Sequence, residues 1–240
     1  AERAVSLTCG AHPGPVQLNL PFREPLVGAA GTLPAPNGTR TAPVQTAVAD
    51  EELVALGQSI DVQRGVIVAG RGAGDPDAVL ALSDATGWPV LTEPRAGLGD
   101  RTGVVRHFDS LLRHDGFARD HAPEVVVRLG EPPASKVLAG WVTGSGAIQV
   151  HVARVPTVVD PDHRVRDRVW ADPTRVCRAW APRLRGATGT PWRTRWAHAE
   201  RAARQVLADL LDDEAVLTEP GVARTVQRAQ PAGAHQVVSS

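Results

Sequence analysis

Three short stretches hold residue types that could do chemistry. Gly70-Arg71-Gly72-Ala73-Gly74 follows an apolar run and opens a helical pattern, so its backbone N–H groups could cradle a pyrophosphate at a helix N-terminus. The spacing departs from G-x-G-x-x-G, and Glu93, the nearest acid for a ribose hydroxyl, stands directly before Pro94. A tight strand-to-helix turn that needs positive φ accounts for the same glycines. The second stretch, Leu129-Gly130-Glu131-Pro132-Pro133-Ala134-Ser135-Lys136, puts the only lysine of the chain in the first turn of a helix that follows a buried strand. Ligands of open α/β sheets gather beyond the carboxyl ends of strands, and an ammonium beside helix N-terminal N–H groups suits a carboxylate. The plain alternative is a solvated surface lysine.

The third stretch, Asp160-Pro161-Asp162-His163-Arg164, has the look of a metal or acid–base cluster, but it joins the turn formers Asp and Pro and is followed by Arg166 and Arg168. A turn held by ion pairs is expected, because no second His or Cys lies at ligand spacing. No Gly-x-Ser-x-Gly elbow occurs, and neither Cys9 nor Cys177 has a paired His, so nucleophilic catalysis is not visible in the residues. Arg71, Arg95, Arg106 and Arg128 fall near strand ends and are the one motive for a small-anion site.

Composition tempers that motive. Basic and acidic residues balance at 26 each and are spread along the chain, which gives no electrostatic case for a nucleic-acid partner. Nearly all the basic residues are Arg in an Ala-, Gly-, Pro- and Val-rich chain, a bias that fills strand ends with Arg for no functional reason. Two cysteines are too few for a disulfide framework, and no apolar run approaches a membrane span, so a cytoplasmic protein is expected. The chain contains no methionine and begins with Ala1, which is read as a piece of a longer polypeptide.

The elements that must position these stretches follow from periodicity. Pro15 to Phe22 alternates like a short half-buried strand, and Glu24 to about Asp50 has the Pro, Gly, Ala and Thr content of a linker. Leu53, Val54, Leu56 and Ile60 predict a short helix, and Gly65 to Gly70 a strand buried on both faces. Helices at Asp77–Ala85, Phe108–Arg113 and Ser135–Val142 then alternate with strands at Pro89–Thr92, Glu124–Leu129 and Ala147–Val152. Such alternation predicts an α/β fold with a Rossmann-like, doubly wound, mostly parallel sheet. Short strands are expected at Thr157–Asp160 and Arg168–Trp170, and helices at Pro173–Leu184 and Trp192–Leu211. In the last of these Trp196, Ala199, Ala203, Val206, Leu207 and Leu210 share one face and are expected in the core. A final helix from Leu217 to Arg228 should lead into a strand at His235–Val238.

The opening Gly14-Pro15-Val16-Gln17-Leu18-Asn19-Leu20-Pro21-Phe22-Arg23-Glu24-Pro25-Leu26 resembles the stretch that closes the pyrimidine-binding domain in the 2-succinyl-5-enolpyruvyl-6-hydroxy-3-cyclohexene-1-carboxylate (SEPHCHC) synthases of menaquinone biosynthesis. Leu129 to Lys136 is similar to the Leu-Gly-…-Lys turn of that family, and Val159 to Arg164 to its Asp-Pro-x-His-Arg turn. Leu217-Thr218-Glu219-Pro220 and His235 to Ser240 resemble the approach to its diphosphate-binding domain.

The resemblance implies a thiamine-diphosphate- and Mg²⁺-dependent transferase of three α/β domains, a homodimer or homotetramer with active sites between subunits. It would decarboxylate 2-oxoglutarate and add the succinyl unit to isochorismate. It implies a division of this chain into residues 1–26, the end of the pyrimidine domain; 27–50, a linker; 51–212, the central domain; and 213–240, the start of the diphosphate domain. Lys136 is the one residue carried over as a substrate contact; where relatives can follow that lysine with Arg, this chain has Val137. The activating glutamate and the metal-binding Gly-Asp-Gly segment of the family fall outside the sequence, so these residues alone are expected to bind no thiamine diphosphate or Mg²⁺ and to be inactive. The alternatives are a stand-alone small-anion-binding or regulatory α/β domain, and the central domain of another thiamine-diphosphate enzyme such as an acetolactate-synthase relative.

Overall fold

Burial follows the sequence pattern most closely in the strands. In a computed structural model that describes residues 8, 14–24, 26–28, 31–32, 48–155, 160, 162–184, 190–212, 217–231 and 233–234, the apolar run β1 (Gly65–Ala69) is buried at every position. With β2 (Val90–Thr92), β3 (Val104–Val105), β4 (Val125–Leu129), β5 (Ile148–Ala153) and β6 (Val165–Trp170) it forms an all-parallel sheet in the order β3-β2-β1-β4-β5-β6. Two βαβ halves wound outward from a central pair give that order, so the expected doubly wound α/β class holds.

The helices are α1 (Asp50–Gln58), α2 (Pro76–Thr86), α3 (Phe108–Leu112), α4 (Asp115–Asp120), α5 (Lys136–Gly144), α6 (Pro173–Trp180), α7 (Pro191–Asp212) and α8 (Glu219–Ala229). Leu53, Val79, Leu82, Val176 and Trp180 bring α1, α2 and α6 onto one face of the sheet. Phe108, Leu112, Leu138, Val142, Trp192 and Trp196 bring α3, α5 and α7 onto the other, with Phe117 of α4 packed alongside. The tryptophans also tie elements together through their N–H groups: Trp88 donates to the Val62 carbonyl at 3.0 Å, Trp180 to Leu53 at 2.7 Å and Trp192 to Gly65 at 2.9 Å. A large apolar ring with one satisfied donor both fills space and fixes a neighbouring backbone. Side-chain caps start several helices, with Asp75, Ser135, Asp172 and Thr218 accepting backbone N–H bonds at α2, α5, α6 and α8.

Several expectations need correction. Pro15 to Phe22 is not a strand; it pairs with no strand of the sheet, and Leu18, Leu20 and Phe22 are exposed. The apolar face expected along α7 is core only at its start: Trp192, Trp196 and Glu200 are buried, whereas Val206 and Leu210 are 56% and 59% exposed. The sheet ends at β3, and a helix of 22 residues, roughly 33 Å long, overruns it. The helix expected to reach Leu184 ends at Trp180, and the strand expected from Arg168 starts at Val165. Strand β3 and helix α4 had no signal; two residues are too few to show a period. Residues 157–159 and 235–238 lie outside the described residues, as do 25, 29–30 and 33–47 of the expected linker.

At the outer border, β6 turns the charged side chains of Arg166, Asp167 and Arg168 outward or half outward. At the centre, by contrast, the glycines allow close approach. A Cβ on Gly70 would collide with the Glu131 carbonyl oxygen, whereas one on Gly140, inside α5, would meet nothing. Gly70→Ala should therefore lower unfolding stability by about 2–3 kcal/mol, while Gly140→Ala raises it by about 0.5–1 kcal/mol, read from urea denaturation of the two variants.

Candidate functional site

The order of the strands places the topological switch point between β1 and β4, where a doubly wound sheet ordinarily opens a crevice. Here the two turns that leave those strands close it. Gly70 N–H donates to the Leu129 carbonyl at 3.1 Å, and Glu131 N–H to the Arg71 carbonyl at 2.9 Å. Gly72, Gly74 and Gly130 take positive φ, and a side chain on Gly130 would strike the backbone of Arg71 to Ala73. Above the crossing, the Arg71 guanidinium grips Glu131 with two bonds, of 2.5 and 3.0 Å, and so holds that carboxyl below its usual range. The N-terminus of α2 is already capped, Asp75 accepting from Ala78 N–H at 2.9 Å. Gly70 to Gly74 is thus a strand-to-helix turn in which the Gly70 and Ala73 N–H groups donate to the protein's own carbonyls and the Arg71 guanidinium is taken by Glu131, and it does not fit a diphosphate.

The Glu131–Lys136 turn is built from outside. Glu93 accepts the Ala134 N–H at 2.9 Å and pairs with Arg95, which reaches the Pro132 carbonyl at 3.4 Å. The acid considered for a ribose hydroxyl therefore serves to pin this turn. Ser135 caps α5, accepting from Leu138 N–H at 3.0 Å, and donates its own hydroxyl to Asp109 of α3, which lowers the carboxyl pKa there. Lys136 is the first residue of α5; it is exposed and makes no ion pair or hydrogen bond among the described residues.

The Asp160–Arg164 turn, which leads into β6, meets the other end of α5. Asp160 is buried and accepts from Arg164 N–H at 2.9 Å, Val165 N–H at 3.1 Å and the Arg168 guanidinium at 2.6 Å. Burial alone would raise its pKa; the two backbone bonds and the arginines hold it below the usual carboxylate range. Asp162 accepts the Thr143 hydroxyl at 3.1 Å, and His163 takes a φ of 51° in the turn. The three acid and imidazole side chains do not converge, and among the described residues no group of three or more His, Cys, Asp or Glu could hold a metal. The structural turn expected from the sequence is what forms.

Between the two turns lies a cavity of about 230 Å³. Pro132, Pro133, Leu138 and Val142 give it apolar walls, Lys136 stands at its rim, and Arg128 and Gln149 rise from the sheet into it. Arg128 lies in β4 and donates to the Gln149 amide oxygen at 3.4 Å, and burial lowers its pKa. Beside it in register, His151 donates its Nε2–H to the Gly130 carbonyl at 2.9 Å, which leaves Nδ1 a buried acceptor without a hydrogen-bond partner. Gln149 and His151 were missed in the sequence, though polar residues alternating with Val150 and Val152 were a signal that one face of β5 looks into something other than a hydrocarbon core.

The four arginines of the anion hypothesis do not assemble. Arg71 and Arg95 are engaged by Glu131 and Glu93, Arg106 pairs with Asp100 at the far side beside α7, and Arg128 is under α5. Nor does a nucleophile emerge: burial pushes the Cys177 thiol up to about 12, far from a thiolate at neutral pH. The arrangement can hold a carboxylate beside Lys136, and it carries no acid–base pair.

Burial, then the repulsion of Arg128 and Arg168, lowers the His151 pKa, and burial does the same at His121. A folded-state pKa below the unfolded value of about 6.5 means that the unfolded chain binds more protons in that window, so stability is present above it and is lost as pH falls. The unfolding free energy read from urea denaturation should fall between pH 7.5 and pH 5, and His151→Gln should flatten the drop.

The family model described as "Middle domain of thiamine pyrophosphate" matches residues 39–237. A 2-succinyl-5-enolpyruvyl-6-hydroxy-3-cyclohexene-1-carboxylate synthase of Myxococcus xanthus is 35% identical over 99% of this chain and 44% of its own length. One of Rubrobacter xylanophilus is 38% identical over 91% of the chain and 41% of its own. Among solved structures, benzoylformate decarboxylase from Polynucleobacter necessarius aligns with a TM-score of 0.45 and 13% identity over 67% of this chain and 32% of that one. The chain thus spans less than half the length of the curated relatives it matches.

Proposed function

We propose, since the chain belongs to the thiamine pyrophosphate middle-domain family, that it is the central domain of a SEPHCHC synthase. That enzyme would decarboxylate 2-oxoglutarate and add the succinyl unit to isochorismate, with thiamine diphosphate and Mg²⁺ as cofactors. The observation that carries the reading is that Leu129–Lys136, after the carboxyl end of β4, and Asp160–Arg164, before the amino end of β6, line one cavity under α5 although they are far apart in sequence. Both turns resemble segments of that family, and relatives bearing the synthase name align with nearly the whole chain.

In this reading the cofactor supplies the electron sink for decarboxylation, and the protein must orient substrates that carry several carboxylates. The residues described here do not fit the cofactor: the switch-point crevice is filled by its own turns, and no metal cluster forms among the described residues. Residues 1–26 would complete a pyrimidine-binding domain and 213–240 begin a diphosphate-binding one, joined to 51–212 directly and through the 27–50 linker. The whole would act in the cytoplasm as a homodimer or homotetramer, with no nucleic-acid or membrane partner; among the described residues no helix is long and apolar enough to cross a membrane.

Lys136 would contribute a substrate-carboxylate contact from the first turn of α5, where the helix N-terminus adds its own field. With Val137 in place of a second cation, the α5 N-terminus would depend on Lys136 alone. In the complete synthase, Lys136→Ala should raise KM for a carboxylate substrate about ten-fold or more with a smaller change in kcat, and Lys136→Arg should restore part of it; an unchanged KM would remove Lys136 from the site. Calorimetric titration of residues 1–240 with thiamine diphosphate and Mg²⁺ should give no saturable binding in the micromolar range, and turnover by this chain alone would overturn the assignment of the chemistry to other domains.

A further inference from the structure

Two carboxylates from different elements hold successive residues at the start of α5. Glu93, which follows β2, accepts the Ala134 N–H at 2.9 Å, and Asp109 of α3 accepts the Ser135 hydroxyl. Lys136 is the next residue. No ion pair or hydrogen bond among the described residues holds its ammonium, so the direction it takes descends from the turn beneath it.

A serine hydroxyl carries one hydrogen and two lone pairs, and an ionised carboxylate can only accept. The bond to Asp109 therefore takes the hydrogen of Ser135 and turns the oxygen to the Leu138 N–H, which it accepts at 3.0 Å. The Ser135 hydroxyl, more than Arg113, holds the Asp109 carboxyl below its usual range against the opposing effect of burial, so it stays ionised at neutral pH. The same bond fixes the first turn of α5 against α3, whose Phe108 and Leu112 share one apolar cluster with Leu138 and Val142. A lone carboxylate here would repel an anionic substrate, yet each of the two carries its own guanidinium, Arg95 on Glu93 and Arg113 on Asp109, the latter at 2.9 Å. The positive field of Lys136 and the α5 N-terminus is thus not cancelled by the groups that position it.

We infer that Asp109 is a positioning residue for Lys136, fixing through the Ser135 hydroxyl the turn from which that ammonium projects, an inference that rests on the reading of Lys136 as a contact for a substrate carboxylate. Asp109 and Glu93 differ in what their loss would leave behind. Without Glu93 a backbone N–H loses its acceptor; without Asp109 only a hydroxyl does, beside a side chain that is 39% exposed, where water takes the vacated place. Removing Asp109 therefore loosens the aim of Lys136 without burdening the fold.

Steady-state kinetics of the complete synthase test this with Asp109 and Lys136 varied singly and together. Asp109→Ala should raise KM for the carboxylate substrate that Lys136 serves about three- to ten-fold, with kcat changed less than about two-fold. Asp109→Asn, which keeps an acceptor for the Ser135 hydroxyl, should recover most of that loss. In the Lys136→Ala background, Asp109→Ala should change KM no further, because no ammonium is left to aim. If Lys136→Ala raises KM and Asp109→Ala does not, the positioning role is overturned and the reading of Lys136 stands. Effects that add in the double variant place Asp109 apart from Lys136 and overturn the inference as well. No change of KM in Lys136→Ala brings down the reading of that lysine, and the positioning role with it. Should Asp109→Ala fail to fold, Ser135→Gly carries the same comparison, since glycine is a tolerated N-cap and lacks the hydroxyl through which Asp109 acts.

Discussion

The close crossing of two turns over the centre of the sheet governs the rest of this structure. Gly70 lets the backbone leaving β1 press against the Glu131 carbonyl, and Gly130 at positive φ lets the backbone leaving β4 accept that approach. Without side chains at these two points, the peptide groups can satisfy one another in a place where a sheet of this topology would otherwise leave donors open to a ligand. Arg71, Glu131, Arg95 and Glu93 then extend the crossing into a chain of ion pairs that fixes Ala134 and so the start of α5. Exposed pairs of this kind add little stability singly. Their importance is geometric, since the orientation of Lys136 descends from them.

Filling the switch point moves the accessible chemistry sideways, to the cavity under α5. Its floor is polar where a sheet normally packs hydrocarbon, since Arg128 and Gln149 rise into it, and His151 lies beside Arg128 in register. Desolvation is the cost of such a floor, and Gln149 and Asp160 offset it at Arg128 as the Gly130 carbonyl does at His151.

The parts legible in the sequence were those with a period long enough to count. The five-residue apolar run of β1, the helical spacing of α1 and the helix beginning near Ser135 all announced themselves, and the alternation of strands and helices pointed to the fold class. The two-residue β3 could not, because a period needs repetition. Pro15 to Phe22 and the outer half of α7 misled for a shared reason: apolar periodicity reports that a face is to be covered, without saying by what. At the site, the residue types of Lys136 and Asp160 were visible, but their meeting around one cavity depends on a sheet order that no local pattern encodes. Glu93 shows the converse, an acid that invites a ligand role by its place in the chain and turns out to be committed to a backbone amide.

The charged border of β6 has a consequence for how this domain behaves when it is crowded. Parallel sheets form slowly, and their unfinished rims are the surfaces at which one chain can capture another. Arg166, Asp167 and Arg168 place alternating charge along that rim, so an incoming strand would have to strip water from several ions before its first backbone bond could form. Newly made copies at high concentration are thereby steered away from growing into one another's sheets and toward closing their own.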